Sequence, residues 1–259
     1  MNEKTLLEVS NYPLMYKKAW DSYIGFVEKN DPLFPCALDE NEVDVLSFFG
    51  LPVRSDTAVI CASKKGLEYL QDEAYHFGLE LALNEIPVSF GSGSSVIEKA
   101  FRTGFLDGEG QMEYYLDCGL MDVFTHVKIK RMCSVILARE GCIYSPFHPD
   151  KKCGTWKKED VLLKEYLATR KQNIILLGLS ESRKDIVESA LMSGAEIYVH
   201  SSFISSFHAR IYAREGARII TSARDYIAAR QMHGDTLSYP DCRGYYHYNG
   251  RSYSLIRGL

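Results

Sequence analysis

The sequence lacks the long apolar segments that would place it in a membrane. No run approaches the roughly 18 apolar residues of a spanning helix, and the first residues, MNEKTLLEVSNYP, do not resemble a signal peptide. The seven cysteines are odd in number and form no C-x-x-C pair. Cys61 and Cys118 lie in apolar, strand-like runs, where reduced thiols act as small hydrophobic side chains. These absences predict a cytoplasmic protein.

The sequence also lacks the local patterns that mark most catalytic and metal sites. It has no G-x-S-x-G elbow, no P-loop ending in G-K-[ST] and no closely spaced set of Cys, His and Asp. His148 lies between Cys142 and Cys153, but this spacing matches no common zinc site. We therefore predict no catalytic residue, no metal and no cofactor, and a function other than that of an enzyme.

The charge balance is not that of a typical nucleic-acid-binding protein, which is usually basic. The formal net charge is −4, and residues 1–56 hold 5 Lys and Arg against 10 Asp and Glu. The rest of the chain is close to neutral, with 25 against 24. A hydrophobic content of 46% with 25% charged residues is ordinary for a globular protein.

Short apolar runs alternate with helix-like stretches from residue 57 onward. This alternation predicts an α/β fold with a Rossmann-like parallel β-sheet and helices on both faces. Runs that are apolar on consecutive residues, such as NIILLGL, are typical of strands buried on both sides. The predicted strands are 57–62, 86–90, 112–116, 141–145, 173–179, 195–200 and 217–220. We assign this domain to residues 57–230.

The two ends of the chain differ from this domain. Residues 1–56 are predicted as a small helical region, with one helix after Pro13 and a second opening at 39–42 and ended by Gly50 and Pro52. Residues 231–259 are predicted as a tail containing a β-hairpin that turns at Asn249-Gly250. Its tyrosines either stack on bases or pack where the hairpin extends or covers a sheet edge. The low stability of an isolated hairpin favours the second role.

Two loops that follow predicted strands are candidates for phosphate binding, because ligands of open parallel sheets lie beyond the carboxyl ends of the strands. Glycines there allow close backbone approach, and serines and helix amides offer hydrogen bonds. The alternative is that Ser94 or Ser95 is only a helix N-cap, and Glu98 is expected to be solvated. The candidates in these loops are Ser63, Lys64, Lys65, Gly91, Ser92, Gly93, Ser94 and Ser95.

Further basic residues lie on loops or helix starts at the same predicted edge of the sheet. A charge run is usually a solvated surface, but the position of these residues favours a shared anion-binding surface. They are Lys151, Lys152, Lys157, Lys158, Arg183 and Lys184.

Several segments, in the same order along the chain, resemble the DNA-processing protein A (DprA/Smf) family within the Rossmann-like group that includes the LOG proteins. The resemblance covers about Val59 to Ile227. The segment from Leu116 to Leu120 resembles the L-G-C-G-L of the family, and Val88 to Gly93 resembles its S-G-L-A-x-G loop. The other similar segments are 60–64 with Tyr69, 206–210 and 215–227.

The resemblance implies a homodimeric protein without catalytic activity that binds single-stranded DNA in natural transformation and recombination and assists a RecA-type recombinase. It also adds Arg210, in the segment 206–210, to the predicted phosphate-binding residues. Two alternatives remain open. The protein could bind or hydrolyse a nucleotide derivative, although the P-G-G-x-G-T-x-x-E motif of the LOG proteins is missing. It could also be a degenerate paralogue that acts as a protein-interaction module.

Overall fold

All seven strands predicted between residues 57 and 220 are present in a computed structural model of the chain. The structure describes residues 43–50, 53, 55–61, 68–91, 93, 95–120, 122–145, 147, 151–154, 164–165, 168–169, 171–178, 184–192, 194–232, 246–248 and 251–257. The strands are β1 (Val43–Gly50), β2 (Thr57–Cys61), β3 (Val88–Gly91), β4 (Met112–Tyr115), β5 (Cys142–Ser145), β6 (Asn173–Leu177), β7 (Glu196–His200), β8 (Arg218–Ile220), β9 (Tyr246–Tyr248) and β10 (Arg251–Arg257). The helices are α1 (Gln71–Leu83), α2 (Val96–Asp107), α3 (Val127–Ala138), α4 (Lys184–Met192), α5 (Ser206–Arg214) and α6 (Ala223–Met232).

The chain divides into two compact units. The first, here the Rossmann unit, comprises the described residues within Val53–Glu113 and Ala168–Ser238. The second, here the α3 unit, comprises those within Met1–Pro52, Tyr114–Leu167 and Tyr239–Leu259. Among the described residues, no helix has both the length and the apolar character that crossing a membrane requires.

The sheet of the Rossmann unit has the strand order β8-β7-β6-β2-β3, and each neighbouring pair is parallel. Strands β2 and β6 are buried at every residue. Successive side chains of a β-strand point to opposite faces of the sheet. Ile174 and Leu176 pack with residues of α4 and α5. Tyr198 of β7 meets Tyr226 of α6 in an edge-on contact of 4.8 Å between ring centroids. The predicted α/β, Rossmann-like fold is therefore confirmed.

Helices α1 and α2 of the same unit approach each other closely through two glycines. A Cβ on Gly78 would lie 2.3 Å from the carbonyl oxygen of Phe101, and one on Gly104 would lie 2.0 Å from that of Tyr75. The Tyr75 hydroxyl also donates to Asp107 Oδ2 at 3.0 Å. Close backbone packing thus fixes where the N-terminus of α2 lies relative to α1.

In the α3 unit the strand order is β4-β5-β1-β10-β9. Strand β1 pairs antiparallel with β5 and parallel with β10. The predicted second N-terminal helix, ended by Gly50, is wrong because Val43–Gly50 is a strand. Its β-branched and aromatic residues suit a strand, and pairing with β5 and β10 satisfies its backbone groups on both sides. The first predicted helix, after Pro13, lies outside the described residues.

The predicted C-terminal hairpin is confirmed. Strands β9 and β10 are antiparallel, with Tyr248 opposite Arg251, so only Asn249 and Gly250 connect them. This two-residue connection is the one that Asn-Gly favours. Because β10 also pairs with β1, the hairpin extends a sheet. The side chains of its tyrosines lie outside the described residues.

Candidate nucleic-acid interface

The structure describes only part of the predicted phosphate-binding surface. Gly91, Gly93, Ser95, Lys151, Lys152 and Arg210 are described. Lys184 begins α4, but its side chain is outside the description. Ser63, Lys64, Lys65, Ser92, Ser94, Lys157, Lys158 and Arg183 lie outside the described residues. Arg210 is exposed on α5 of the Rossmann unit.

The glycine loop of the Rossmann unit leads from Gly91, the last residue of β3, to Ser95, the N-cap of α2. Ser95 and Glu98 form a reciprocal capping box. The amide of Glu98 donates to Ser95 Oγ at 3.1 Å, and the amide of Ser95 donates to Glu98 Oε2 at 2.8 Å. The N-cap interpretation of Ser95 is therefore confirmed, and its Oγ serves the helix terminus.

The Glu98 carboxylate occupies the space directly above Gly93. A Cβ on Gly93 would lie 2.1–2.3 Å from the carboxyl carbon and oxygens of Glu98. Glu98 is only 4% exposed, so the prediction of a solvated side chain is wrong. A carboxylate at a helix N-terminus complements the helix dipole and repels a second anion. Phosphate contact at Gly91 and Gly93 stays a prediction, and the Glu98 side chain lies in the space above Gly93 that a phosphate would enter.

Asp122 organises the loops of the α3 unit at the ends of β4 and β5. Its side chain is fully buried, and the amide of Cys153 donates to its Oδ2 at 2.6 Å. The amide of Gly119 donates to the carbonyl oxygen of Lys151 at 2.9 Å. The segment 151–154 is thereby held against the loop that follows β4. Lys151 and Lys152 thus have fixed backbones.

Two basic side chains, those of Lys152 and His126, approach the Asp122 carboxylate from the solvent side. Lys152 Nζ lies 3.1 Å from Oδ1, and His126 Nε2 lies 3.2 Å from Oδ2. Burial raises the pKa of Asp122, but hydrogen bonds from the Cys153 amide, Thr125 and Lys152 outweigh burial and hold the pKa below its usual value. The ionised carboxylate therefore fixes Lys152 and His126, whose side chains are 62% and 47% exposed.

Helix α3 begins at this point and carries more positive charge. His126 is its N-cap and makes no side-chain capping bond, and its first turn has no acidic residue. Lys128 and Arg131 are exposed and Lys130 is partly exposed. No Asp or Glu occurs between Asp122 and Glu140 in the sequence. We define the α3 edge as His126, Lys128, Lys130, Arg131, Lys151 and Lys152.

The aromatic ring of Phe147 lies beside Lys151 of the α3 edge. Lys151 Nζ lies 3.7 Å from the ring centroid of Phe147, which is partly exposed. Cations beside an accessible ring are the combination that binds phosphates and stacks on bases. Lys151 and Lys152 were predicted from the sequence, whereas five further residues were not: His126, Lys128, Lys130, Arg131 and Phe147. The acid-free run 123–139 was the available signal for the cations of α3.

A second polar cluster lies at the end of β7 in the Rossmann unit. His200 is 1% exposed and has Phe77 and Phe203 in edge-on contact. Its Nε2 lies 3.6 Å from Glu73 Oε1. Ser202 donates its hydroxyl to Glu73 at 2.8 Å and only its amide to His200 Nδ1 at 3.4 Å. This arrangement holds the ring in place and does not activate the serine as a nucleophile.

His200 should make stability depend on pH. Burial lowers its pKa, only partly offset by Glu73, Asp225 and a backbone hydrogen bond with Thr221. The unfolded chain therefore binds a proton before the folded one does as the pH falls below about 6.5. The contribution of the neutral His200 ring to the free energy of unfolding is fully present above that pH. It is lost as the pH falls through the lowered pKa of the folded state. Urea midpoints across this range should fall in the native protein and fall less in His200→Phe.

The control for this prediction is His76→Gln, because His76 is exposed on α1. The control should keep the pH dependence of the native protein. An unchanged pH dependence in His200→Phe would contradict the assignment.

Comparison with known proteins identifies the fold only. No family model matches the chain, and no curated protein matches it. A solved structure of DNA processing protein A from Helicobacter pylori, described for its single-stranded DNA binding mode, matches with a TM-score of 0.52 and 16% identity over 69% of this chain and 81% of its own. At this identity the likeness shows a shared Rossmann-like α/β fold.

Two further solved structures match less well. DNA processing protein A from Streptococcus pneumoniae has a TM-score of 0.48 and 18% identity over 67% of this chain, which spans 61% of that protein. The molybdenum cofactor binding protein from Rippkaea orientalis has a TM-score of 0.47 and 15% identity over 70% of this chain and 99% of its own. Fold and site together define a Rossmann-like α/β protein with a cationic surface beside the strand ends of its α3 unit.

Proposed function

We propose that the protein binds single-stranded DNA without cleaving it, and that the α3 edge is the contact surface. The observation that carries the proposal is the fixed position of Lys152 and His126 on buried Asp122, at the start of a helix on which Lys128 and Arg131 are exposed. Phosphates of a flexible strand can follow such a surface, and Phe147 offers a ring for base stacking.

The fold supports the same proposal. The Helicobacter pylori protein, described for single-stranded DNA binding, shares the Rossmann-like fold. The resemblance of the sequence to its family extends the proposal to DNA uptake and recombination, a homodimer, a RecA-type partner and a cytoplasmic location. The predicted loop residues of the Rossmann unit would then be further phosphate contacts.

A salt titration of binding to a labelled oligothymidine tests this function. Four phosphate contacts, by Lys128, Lys130, Arg131 and Lys152, should give a slope of roughly −3 in log K against log salt, because each single-strand contact contributes about −0.7. The oligonucleotide should be recovered intact. A salt-independent affinity, or no binding by folded protein at low salt, would overturn the proposal.

Competitors separate the alternatives within the same experiment. A mononucleotide that displaces the oligonucleotide at a similar concentration would favour the nucleotide-derivative function. Binding of neither ligand would favour a protein-interaction module.

Glu98→Gln tests the glycine loop, because removal of the charge above Gly93 should strengthen DNA binding only if a phosphate approaches there.

A further inference from the structure

Two thiols and a carboxylate lie close together in the α3 unit, and none of them belongs to the α3 edge. The Sγ atoms of Cys118 and Cys153 and a carboxylate oxygen of Asp117 all lie within 4.8 Å of one another. Cys118 is fully buried, whereas Cys153 and Asp117 are partly exposed. The three donors therefore surround a position that is closed on the protein side and open towards solvent.

Hydrogen bonds fix the backbone on both sides of this cluster. Ser145 Oγ at the end of β5 donates to the carbonyl oxygen of Cys118 at 2.7 Å. The amide of Cys153 donates to buried Asp122 at 2.6 Å. The amide of Gly119 donates to the carbonyl oxygen of Lys151 at 2.9 Å and joins the two segments directly. The donors are thus brought together by the fold, which lowers the ordering cost of binding a ligand between them.

The charges around the cluster suit a divalent cation. Lys164 is 3% exposed, and its Nζ lies 3.9 Å from Asp117 Oδ2. Two thiolates, one carboxylate, one divalent cation and the Lys164 ammonium sum to zero. The neighbouring Asp122 carboxylate already has Lys152 and His126 as its own partners. A bound dication would therefore leave no net charge in a partly buried place, which is the condition for low desolvation cost.

We propose that Asp117, Cys118 and Cys153 form a binding site for a thiophilic divalent cation such as Zn²⁺. Two sulfurs and one oxygen are a donor set that Zn²⁺ accepts, and the fourth position would hold water or another ligand from solvent. Tetrahedral geometry with Zn–S bonds of 2.3 Å places the two sulfurs about 3.8 Å apart. All three donor atoms already lie within 4.8 Å of one another, so small side-chain movements bring them to these separations.

Binding converts both thiols to thiolates and releases two protons, while Asp117 binds as the carboxylate. The cation would link the loop after β4 to the segment 151–154. The experiment uses the full reduced chain without oxygen, with Zn²⁺ followed by calorimetry and Co²⁺ by its thiolate absorption. We expect tight Zn²⁺ binding with release of two protons, measured in buffers of different ionisation enthalpy, and a cobalt–thiolate band.

Substitutions locate the site. Cys118→Ser and Cys153→Ser should each weaken Zn²⁺ binding by more than about 100-fold, because loss of a residue that only hydrogen-bonds to a metal ligand already costs up to that factor. Each substitution should also remove the cobalt–thiolate band. Asp117→Asn should weaken binding and keep the band. Cys61→Ala is the control, because Cys61 is also buried but lies on β2 of the Rossmann unit. Circular dichroism checks folding. If Cys118→Ser does not fold, Cys153→Ser decides.

Three results would overturn the site. The first is Zn²⁺ binding in Cys153→Ser equal to that of the native chain, which would place the cation on other residues. The second is no binding by the folded, reduced chain. The third is quantitative formation of a Cys118–Cys153 disulfide in aerobic protein together with no Zn²⁺ binding after reduction, which would make the pair a redox couple.

Discussion

Replacement of Lys171 by methionine is expected to lower the free energy of unfolding by about 3–5 kcal/mol. Lys171 Nζ lies 2.6 Å from Glu113 Oε2, and the two side chains are 8% and 4% exposed. The other carboxylate oxygen accepts the amide of Ser55 at 3.2 Å. Without Lys171, the buried Glu113 carboxyl group would keep, among the described residues, only the Ser55 amide as its partner. The loss should appear as a lower guanidinium midpoint with an unchanged denaturant slope.

Removal of both charges should cost much less than removal of one. Lys171→Met with Glu113→Leu leaves an apolar pair of similar volume, and such replacements of buried ion pairs are often close to neutral. The exposed pair of Arg224 with Glu80 provides the control, because its arginine side chain is 85% exposed. Arg224→Met should cost no more than about 1 kcal/mol. Equal losses in the single and double variants would show that Lys171 acts through its packing.

The parallel strands could be predicted because the apolar pattern that marks each strand lies within the strand's own residues. Strands β2 and β6 are buried at every position, and consecutive apolar residues reveal this in the sequence. Strand β1 was misread because 39–42 is rich in residues that cap helices. What decides its structure is pairing with β5 and β10, about 100 and 200 residues further along the chain. No local pattern contains that information.

Only those parts of the candidate site that are formed by residues close together in the sequence could be predicted. The cap at Ser95 was recognised as an alternative because its partner is three residues away. The burial of Glu98 depends on Gly93 and on the close packing of α2, and a solvated residue was therefore the simpler expectation. Lys152 and His126 meet at Asp122 across separate segments, and Cys118 meets Cys153 in the same way. Such contacts exist only after folding.

Reversal of two charges on α3 is expected to remove most single-stranded DNA binding. Lys128 and Arg131 are exposed and lie three residues apart, on one face of the helix. Loss of two phosphate contacts at 0.1 M salt lowers the binding constant by about 25-fold and reduces the salt slope by about 1.4. Lys128→Glu with Arg131→Glu adds repulsion to that loss. Titration of labelled oligothymidine at several salt concentrations measures both quantities.

A matched variant separates a local contact from the effect of net charge. Lys99→Glu with Arg214→Glu makes the same change in charge at exposed helix positions of the Rossmann unit. Because DNA steering responds to the overall field, this control should slow association slightly and keep the salt slope. Neither pair lies in the core, so thermal unfolding should be unchanged in both variants. If both variants lose affinity and salt slope equally, the α3 edge is not the contact surface. If only the α3 variant does, phosphates bind at the α3 edge, because both variants change the net charge of the protein by the same amount.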